Sequence, residues 1–431
     1  MNSDSTAASA RDRNAIRAAV AEAHRREWGF VLAATARITR DLDAAEECVQ
    51  DAYVAALDAW AKQGVPRNPA AWLTTAARHR ALDGLRRDRT LRSKLPLLVP
   101  DQLDEPEAGE AGVGETGDDS GIADDRLRLI FTCCHPALAR EAQVALTLRL
   151  VCGLSTGDIA RAFLVTEPTM AARVTRAKKK ISAARIAYRV PDVAELPDRL
   201  DAVLTVMHLV FTTGHTAPSG PALVRDDLVD RAISLARVLR QLMPDEPEAA
   251  GLLALMLITD ARRRTRTDAA GNLLLLEQQD RSQWDTAQIG EGAKLVTEAL
   301  RCGGRPGRFA LQAAIAAVHG EAPSYAATDW PQLLMLYDRL LVAWPSPVVE
   351  LNRAVVTSMV SGPQAALDDL ARLEADGRLD GYHYLPAAKA DLLRQLGRRA
   401  EALRAYQAAH ELTENPAERA FLGRRIAEVS G

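Results

Sequence analysis

Aromatic residues make up only 4% of this 431-residue chain. Runs of β-branched residues are few, and Ala, Leu and Arg dominate, residues that lose little freedom in a helix. Cysteine is scarce too. The five, Cys48, Cys133, Cys134, Cys152 and Cys302, are odd in number and irregular in spacing. That argues against a disulfide framework and suits a reducing compartment. Cys133-Cys134-His135 has no partner CxxC, and adjacent cysteines chelate poorly, so these read as structural residues and no metal is expected. No apolar run approaches the roughly 20 residues that cross a bilayer. The opening MNSDSTAASARDRN lacks the apolar core of a signal peptide. A cytoplasmic protein with a frayed tail over 1–13 and no membrane partner is expected. A Walker-type phosphate loop is missing, as is a GxGxxG after a strand. Thr213-Gly214-His215, read as a loop, brings no nucleophile–base set with it. No enzyme and no cofactor are therefore expected.

What is present is a strongly segregated charge pattern, although the net charge is only −3. Residues 72–94, WLTTAARHRALDGLRRDRTLRSK, are rich in arginine. From Leu95 to Asp125 there is no Lys or Arg, only Asp and Glu punctuated by Gly and Pro, the composition of an acidic tether. A second basic block runs from Arg173 to Arg189.

Helical periodicity is clear in both basic modules. In the first, Ile16, Val20 and Ala23 lead into Phe30, Val31, Ala34 and Ile38. A new helix then starts at Asp41-Leu42-Asp43, with Ala45, Val49, Ala52, Tyr53, Ala56 and Trp60 forming one apolar stripe. Gly64 and Pro66 end it, and Asn68 before Pro69 caps the next. In the second module, helices over 125–134 and 139–152 stop at Gly153. Ser155 with Asp158 forms a capping box, and a last helix starts near Glu167-Pro168. The pattern is a helix-turn-helix with its positive charge on the final helix. Beyond Pro191 the chain is helical in pattern. The segments at 330–345, 365–373 and 400–412 fall about one 34-residue period apart, as in stacked helix pairs. Asp280, Arg281 and Trp284 form a polar cluster that reads either as a partner site or as a solvated loop near a packed Trp.

The segments DAAEECVQDAYVAALDAW (43–60) and PAAWLTTAARHRALDGLRR (69–87) closely resemble region 2 of extracytoplasmic-function sigma factors. LRLVCGLSTGDIARAFLVTEPTMAARVTRAKKKI (148–181) resembles their region 4. The remainder resembles the long extension of a subgroup ending in tetratricopeptide-like repeats. The resemblance implies an all-α protein: region 2 helical bundle over 14–94, acidic linker over 95–124, and region 4 helix-turn-helix over 125–189. A helical extension over 190–310 and repeat-like helices over 311–431 follow.

It also implies the partners, core RNA polymerase and promoter DNA, and assigns residues to them. Glu46, Glu47, Gln50 and Asp51 would dock on the clamp helices of the largest catalytic subunit. Trp72, Arg78, His79, Asp83, Arg86 and Arg87 would face the −10 element, with Trp72 equally readable as core. His79 stands where the family commonly has Asn, so base preference does not carry over. Thr166, Glu167, Thr169, Met170 and Arg173 would approach base edges or phosphates of the −35 element, and Arg176, Lys178, Lys179 and Lys180 would hold its backbone. The acidic linker reads either as a nucleic-acid mimic in a basic channel or as a solvated tether. The extension is expected to regulate activity or bind a regulatory protein. The rival readings are a helix-turn-helix regulator that never joins polymerase, and a helical-repeat scaffold.

Overall fold

The computed structural model describes residues 2–94, 120–163, 165–192, 194–215, 226–268, 272–413 and 415–430. The acidic segment over 95–119 lies outside the described residues. Within them the chain forms α-helices and no strand, as the composition led one to expect. It divides into two compact units, Met1–Val206 and Met207–Gly431.

The first unit opens with α1 (Asn2–Thr39), which begins inside the segment read as a tail. Helix α2 (Leu42–Gln63) follows after a tight turn. The Asp41 carboxylate caps α2 by accepting from the N–H groups of Asp43 and Ala44, both at 2.8 Å. The predicted stripe of α2, from Ala45 to Trp60, is buried throughout. Asn68 then caps α3 (Pro69–Lys94), accepting from Ala71 N–H at 3.0 Å. Helices α4 (Ser120–Cys133) and α5 (Arg140–Leu146) come next. α5 does not run on as an α-helix to Cys152; it passes into a π-helical turn over Thr147–Val151. Ser155 caps α6 (Thr156–Ala162), and Thr166 caps α7 (Glu167–Ala183), which completes the helix-turn-helix.

Helix α8 (Leu196–His215) carries the chain across the division between units. Thr213-Gly214-His215 is thus the last turn of a helix and not a loop. The apolar run before it, VMHLVF, continues the helix to His215, a buried residue whose pKa falls to about 3 through burial and then the nearby Arg266, Arg262 and Arg263.

The second unit continues with α9 (Asp226–Leu242) and α10 (Pro247–Asp260). Helix α10 is apolar on nearly every side, the signature of a core helix. Helices α9, α11 (Thr286–Arg301) and α12 (Arg308–Glu321) pack around it. α12 lacks a side-chain cap of its own. Glu248 of α10 supplies one, accepting from Phe309 N–H at 2.9 Å and Ala310 N–H at 3.0 Å. Trp284 is packed, donating to Thr265 Oγ1 at 2.9 Å beneath the Arg281 guanidinium.

Three helical hairpins finish the chain: α13 (Trp330–Ala343) with α14 (Pro347–Ser361), α15 (Pro363–Asp376) with α16 (Tyr384–Gln395), and α17 (Arg399–Leu412) with α18 (Pro416–Ser430). The three periodic segments are the first helices of these pairs. Leu351, Leu370, Leu393, Tyr406 and Leu422 belong to one apolar core shared by successive pairs, because a single pair cannot cover its own apolar face.

Glu418 ties α16 to α18. Its buried carboxylate accepts from Tyr384 Oη and from Thr413 Oγ1 at 2.7 Å, and lies 3.1 Å from His383 Nε2. Burial alone would raise its pKa. The hydrogen bonds from His383, Tyr384 and Thr413 outweigh that and hold it at about 2, against an ordinary 4.5. A carboxyl with a depressed folded pKa contributes stability above its unfolded pKa, and this is lost as pH falls from about 4.5 to about 2. Glu418→Gln is expected to destabilise the second unit by roughly 1–3 kcal/mol at pH 7 and to flatten its acid dependence across that window. Thermal melts from pH 7 to pH 2 check this; an unchanged acid profile would remove Glu418 from the explanation.

Candidate polymerase and nucleic-acid interfaces

Helix α2 divides its acidic face between solvent and interior. Glu47, Gln50 and Asp51 are exposed, as the assignment to a docking surface requires. Asp51 lies 3.4 Å from Arg80 Nε of α3. Glu46 is different: it is 6% exposed. Its carboxylate lies 2.6 Å from Lys178 Nζ and is also ion-paired with Arg149. Gln50 Nε2 donates to it at 3.3 Å. Lys178 reaches Asp43 at 2.7 Å as well. Burial would push the Lys178 ammonium down, but hydrogen bonds to Asp43 and Glu46 hold it above its ordinary value.

Most of α3 presents its polar residues outward. Arg78, His79, Asp83, Arg86 and Arg87 are exposed, with Arg86 donating to Asp83 at 3.2 Å. Trp72 is half-buried and stands edge-on to Trp60, ring centres 5.8 Å apart. Its indole is thus partly core and partly surface.

At α7 the exposed residues are Thr166, Glu167, Thr169, Arg176, Lys179 and Lys180, while Arg173 is half-buried. The Thr166 and Thr169 hydroxyls are 2.9 Å apart at the helix start. Met170 is fully buried in the helix-turn-helix core, and Lys178 is turned onto α2. The apolar spacing Met170, Val174, Ala177, Ile181 defines an inward face, and Lys178 sits beside Ala177 on its edge. In this arrangement Met170 and Lys178 are interior residues, unlike the other seven assigned to this helix and its cap.

The sequence reading missed the groups that join the two basic modules: Asp43, Arg149, Asp125 and Tyr188. Asp125 is fully buried and pairs with Arg37 of α1 and Arg128 of α4, each at 2.8 Å. Tyr188 Oη lies 3.0 Å from Ala33 O and 3.1 Å from Asp125 O. Two glycines permit the approach. A Cβ on Gly29 of α1 would meet Val151 O at 2.4 Å, and one on Gly153 would meet the Trp28 ring at 2.8 Å. The single local signal was a carboxylate pair, Asp43 and Glu46, one turn apart. Nothing local names a lysine 132 positions away as the partner of Glu46.

Cys133 and Cys134 are buried, and burial raises both thiols, Cys134 to about 11 against a hydrogen bond from Thr147. Neutral thiols of this kind pack as small apolar groups.

Comparison with known proteins agrees with this layout. Residues 24–90 match the family described as Sigma-70 region 2, and residues 128–181 match Sigma-70, region 4. Residues 199–300 match a family of unknown function, DUF6596. An uncharacterized protein of Rhizobium meliloti (strain 1021) is 44% identical over 401 residues, 93% of each chain. No solved structure matches.

The buried charge cluster makes an ordered prediction. Glu46→Ala leaves Lys178 and Arg149 facing each other without their shared anion, and is expected to cost the first unit about 3–5 kcal/mol. Lys178→Ala leaves Glu46 paired with Arg149 and should cost distinctly less. Urea melts of the two variants check the order; equal costs would mean that the cluster does not act as a triad.

Proposed function

Because the chain belongs to the sigma-70 family, with region 2 and region 4 of the extracytoplasmic-function type, we propose that its surfaces divide the work of promoter-directed initiation as follows. Glu47, Gln50 and Asp51 dock on core RNA polymerase. Trp72, Arg78, His79, Asp83, Arg86 and Arg87 meet the −10 element. Thr166, Glu167, Thr169, Arg173 and Arg176 meet the −35 element, with Lys179 and Lys180 on its phosphates. The sigma-70 domains support a transcription-factor role, with the polymerase doing the chemistry. No helix among the described residues is long and apolar enough to cross a membrane.

The observation that carries this reading is the exposure of Gln50 and Asp51 on the same unit as the free polar tip of α7. The residues of both surfaces are exposed while Glu46 and Lys178 are engaged with each other. Those two residues become available to polymerase and to DNA only together, when the cluster opens. Met170 supports the recognition helix from beneath. A helix-turn-helix regulator would have no use for the exposed end of the α2 face. The extension regulates the cycle, alone or through a partner protein held by the hairpin repeats.

Run-off transcription with purified core polymerase and a genomic promoter library tests this. Full-length protein as the only sigma should yield transcripts from promoters sharing two elements. A Gln50→Ala, Asp51→Ala double variant should lose at least about tenfold, which corresponds to roughly 1.4 kcal/mol of docking energy. Truncation after Arg189 should change the yield if the extension regulates. Undiminished transcription by the double variant would move the docking surface elsewhere. Silence of every form, with no binding to core, would reject sigma activity.

A further inference from the structure

Beside the Glu46–Lys178 cluster, the first unit holds a cleft of about 960 Å³, within the size range of small-molecule sites. Its walls come from both modules: the end of α1 and start of α2 on one side, α4 and the end of α7 on the other. Leu42, Ile181 and Ile186 supply apolar surface. Around them stand Arg40, Lys179 and Arg185, and among the described residues no side-chain hydrogen bond or ion pair engages any of the three. The other cations there already have carboxylate partners. Arg37 and Arg128 share Asp125, and Lys178 is held by Asp43 and Glu46. The carboxylates that line the cleft are committed as well, Asp41 to the N–H groups that start α2 and Asp43 to Lys178. Among the described residues, Arg40, Lys179 and Arg185 thus remain as three cations without a carboxylate partner over an apolar wall.

The backbone marks two of these residues again. Among the described residues, Arg40 and Arg185 are the non-glycine positions with positive φ, 54° and 49°. Each sits just past a helix end, where glycine is the residue of choice because it takes the left-handed conformation without steric cost. Arg40 N–H donates to Ala36 O at 2.9 Å, and Ile186 N–H returns to Ile181 O at 3.0 Å around Arg185. An arginine at both positions costs the fold something that its side chain does not return through a hydrogen bond or ion pair among the described residues. Strain of this kind concentrates at ligand sites.

The geometry points to a binding site, in this cleft, for a small molecule that carries two or more phosphate groups on an apolar planar body, a nucleoside polyphosphate. The phosphates bind Arg40, Lys179 and Arg185, for which guanidinium is the better-matched fork, and the planar body lies against Leu42, Ile181 and Ile186. Because Arg40 belongs to one module and Lys179 and Arg185 to the other, the occupied cleft holds the two together. The promoter reading above also uses Lys179, but this site does not rest on it and is tested on the protein without polymerase or DNA.

Titration calorimetry of the full-length protein with GTP, pyrophosphate and guanosine, without polymerase or DNA, tests it. GTP should bind saturably with a dissociation constant on the order of 10⁻⁵ M, pyrophosphate more weakly and guanosine not measurably. The Arg40→Gly, Arg185→Gly double variant should lose at least about tenfold in GTP affinity while its thermal transition stays or rises, because glycine accepts the left-handed backbone. An Arg40→Gln, Arg185→Gln pair, which keeps the native backbone constraint, should lose affinity equally. Absence of saturable GTP binding up to millimolar concentration would overturn the site. So would guanosine binding as well as GTP, or either variant retaining the wild-type affinity.

Discussion

One carboxylate, that of Glu46, sits out of water between an ammonium and a guanidinium contributed by the other module of the same unit. Burying a lone carboxylate costs several kcal/mol, and the cost is offset only when cations and donors surround it. Lys178, Arg149 and Gln50 do that here. The contacts around the cluster presuppose the same approach of the two modules: the Arg37–Asp125–Arg128 pairing, the Tyr188 hydroxyl over Ala33 and Asp125, and the seat of Gly29 against the π-helical turn. Ionic partners fix register and are poor as bulk stabilisers. The geometry is therefore specific without being strongly cohesive.

The second unit solves a different problem with the same means. Its core helix α10 is apolar on almost all sides and supplies, through Glu248, the cap that α12 lacks. The hairpin array that follows is joined by a shared leucine core and pinned at its end by Glu418. The same chemistry recurs in the two units: a buried carboxylate from one helix satisfying groups from another. Such carboxylates tie stability to correct assembly, since a misplaced partner leaves a buried charge exposed to its full desolvation cost.

Much of the fold was legible in the sequence because its signals are local. The stripe from Ala45 to Trp60, the caps at Asp41, Asn68, Ser155 and Thr166, and the repeat of the hairpins are each read within a few turns of helix. Local signals also misled. The polar Thr213-Gly214-His215 looked like a loop, yet the apolar run before it extends α8 to His215. The run toward Cys152 looked like one helix, but the chain inserts a π turn where Gly29 presses against Val151. The assigned interface residues divide on the same principle. Exposure of Gln50, Asp51 and Arg176 follows from helical phase, whereas burial of Glu46 and Lys178 depends on each other across 132 positions. Pairing at that range leaves no trace in periodicity.

Lys178, turned inward, has its charge matched within the protein by Asp43 and Glu46. Chromosomal DNA is a vast reservoir of phosphate, and each exposed cation on a recognition helix lets a protein be soaked up by sequence that carries no information. A lysine that spends the free state against Asp43 and Glu46 offers nothing to that reservoir.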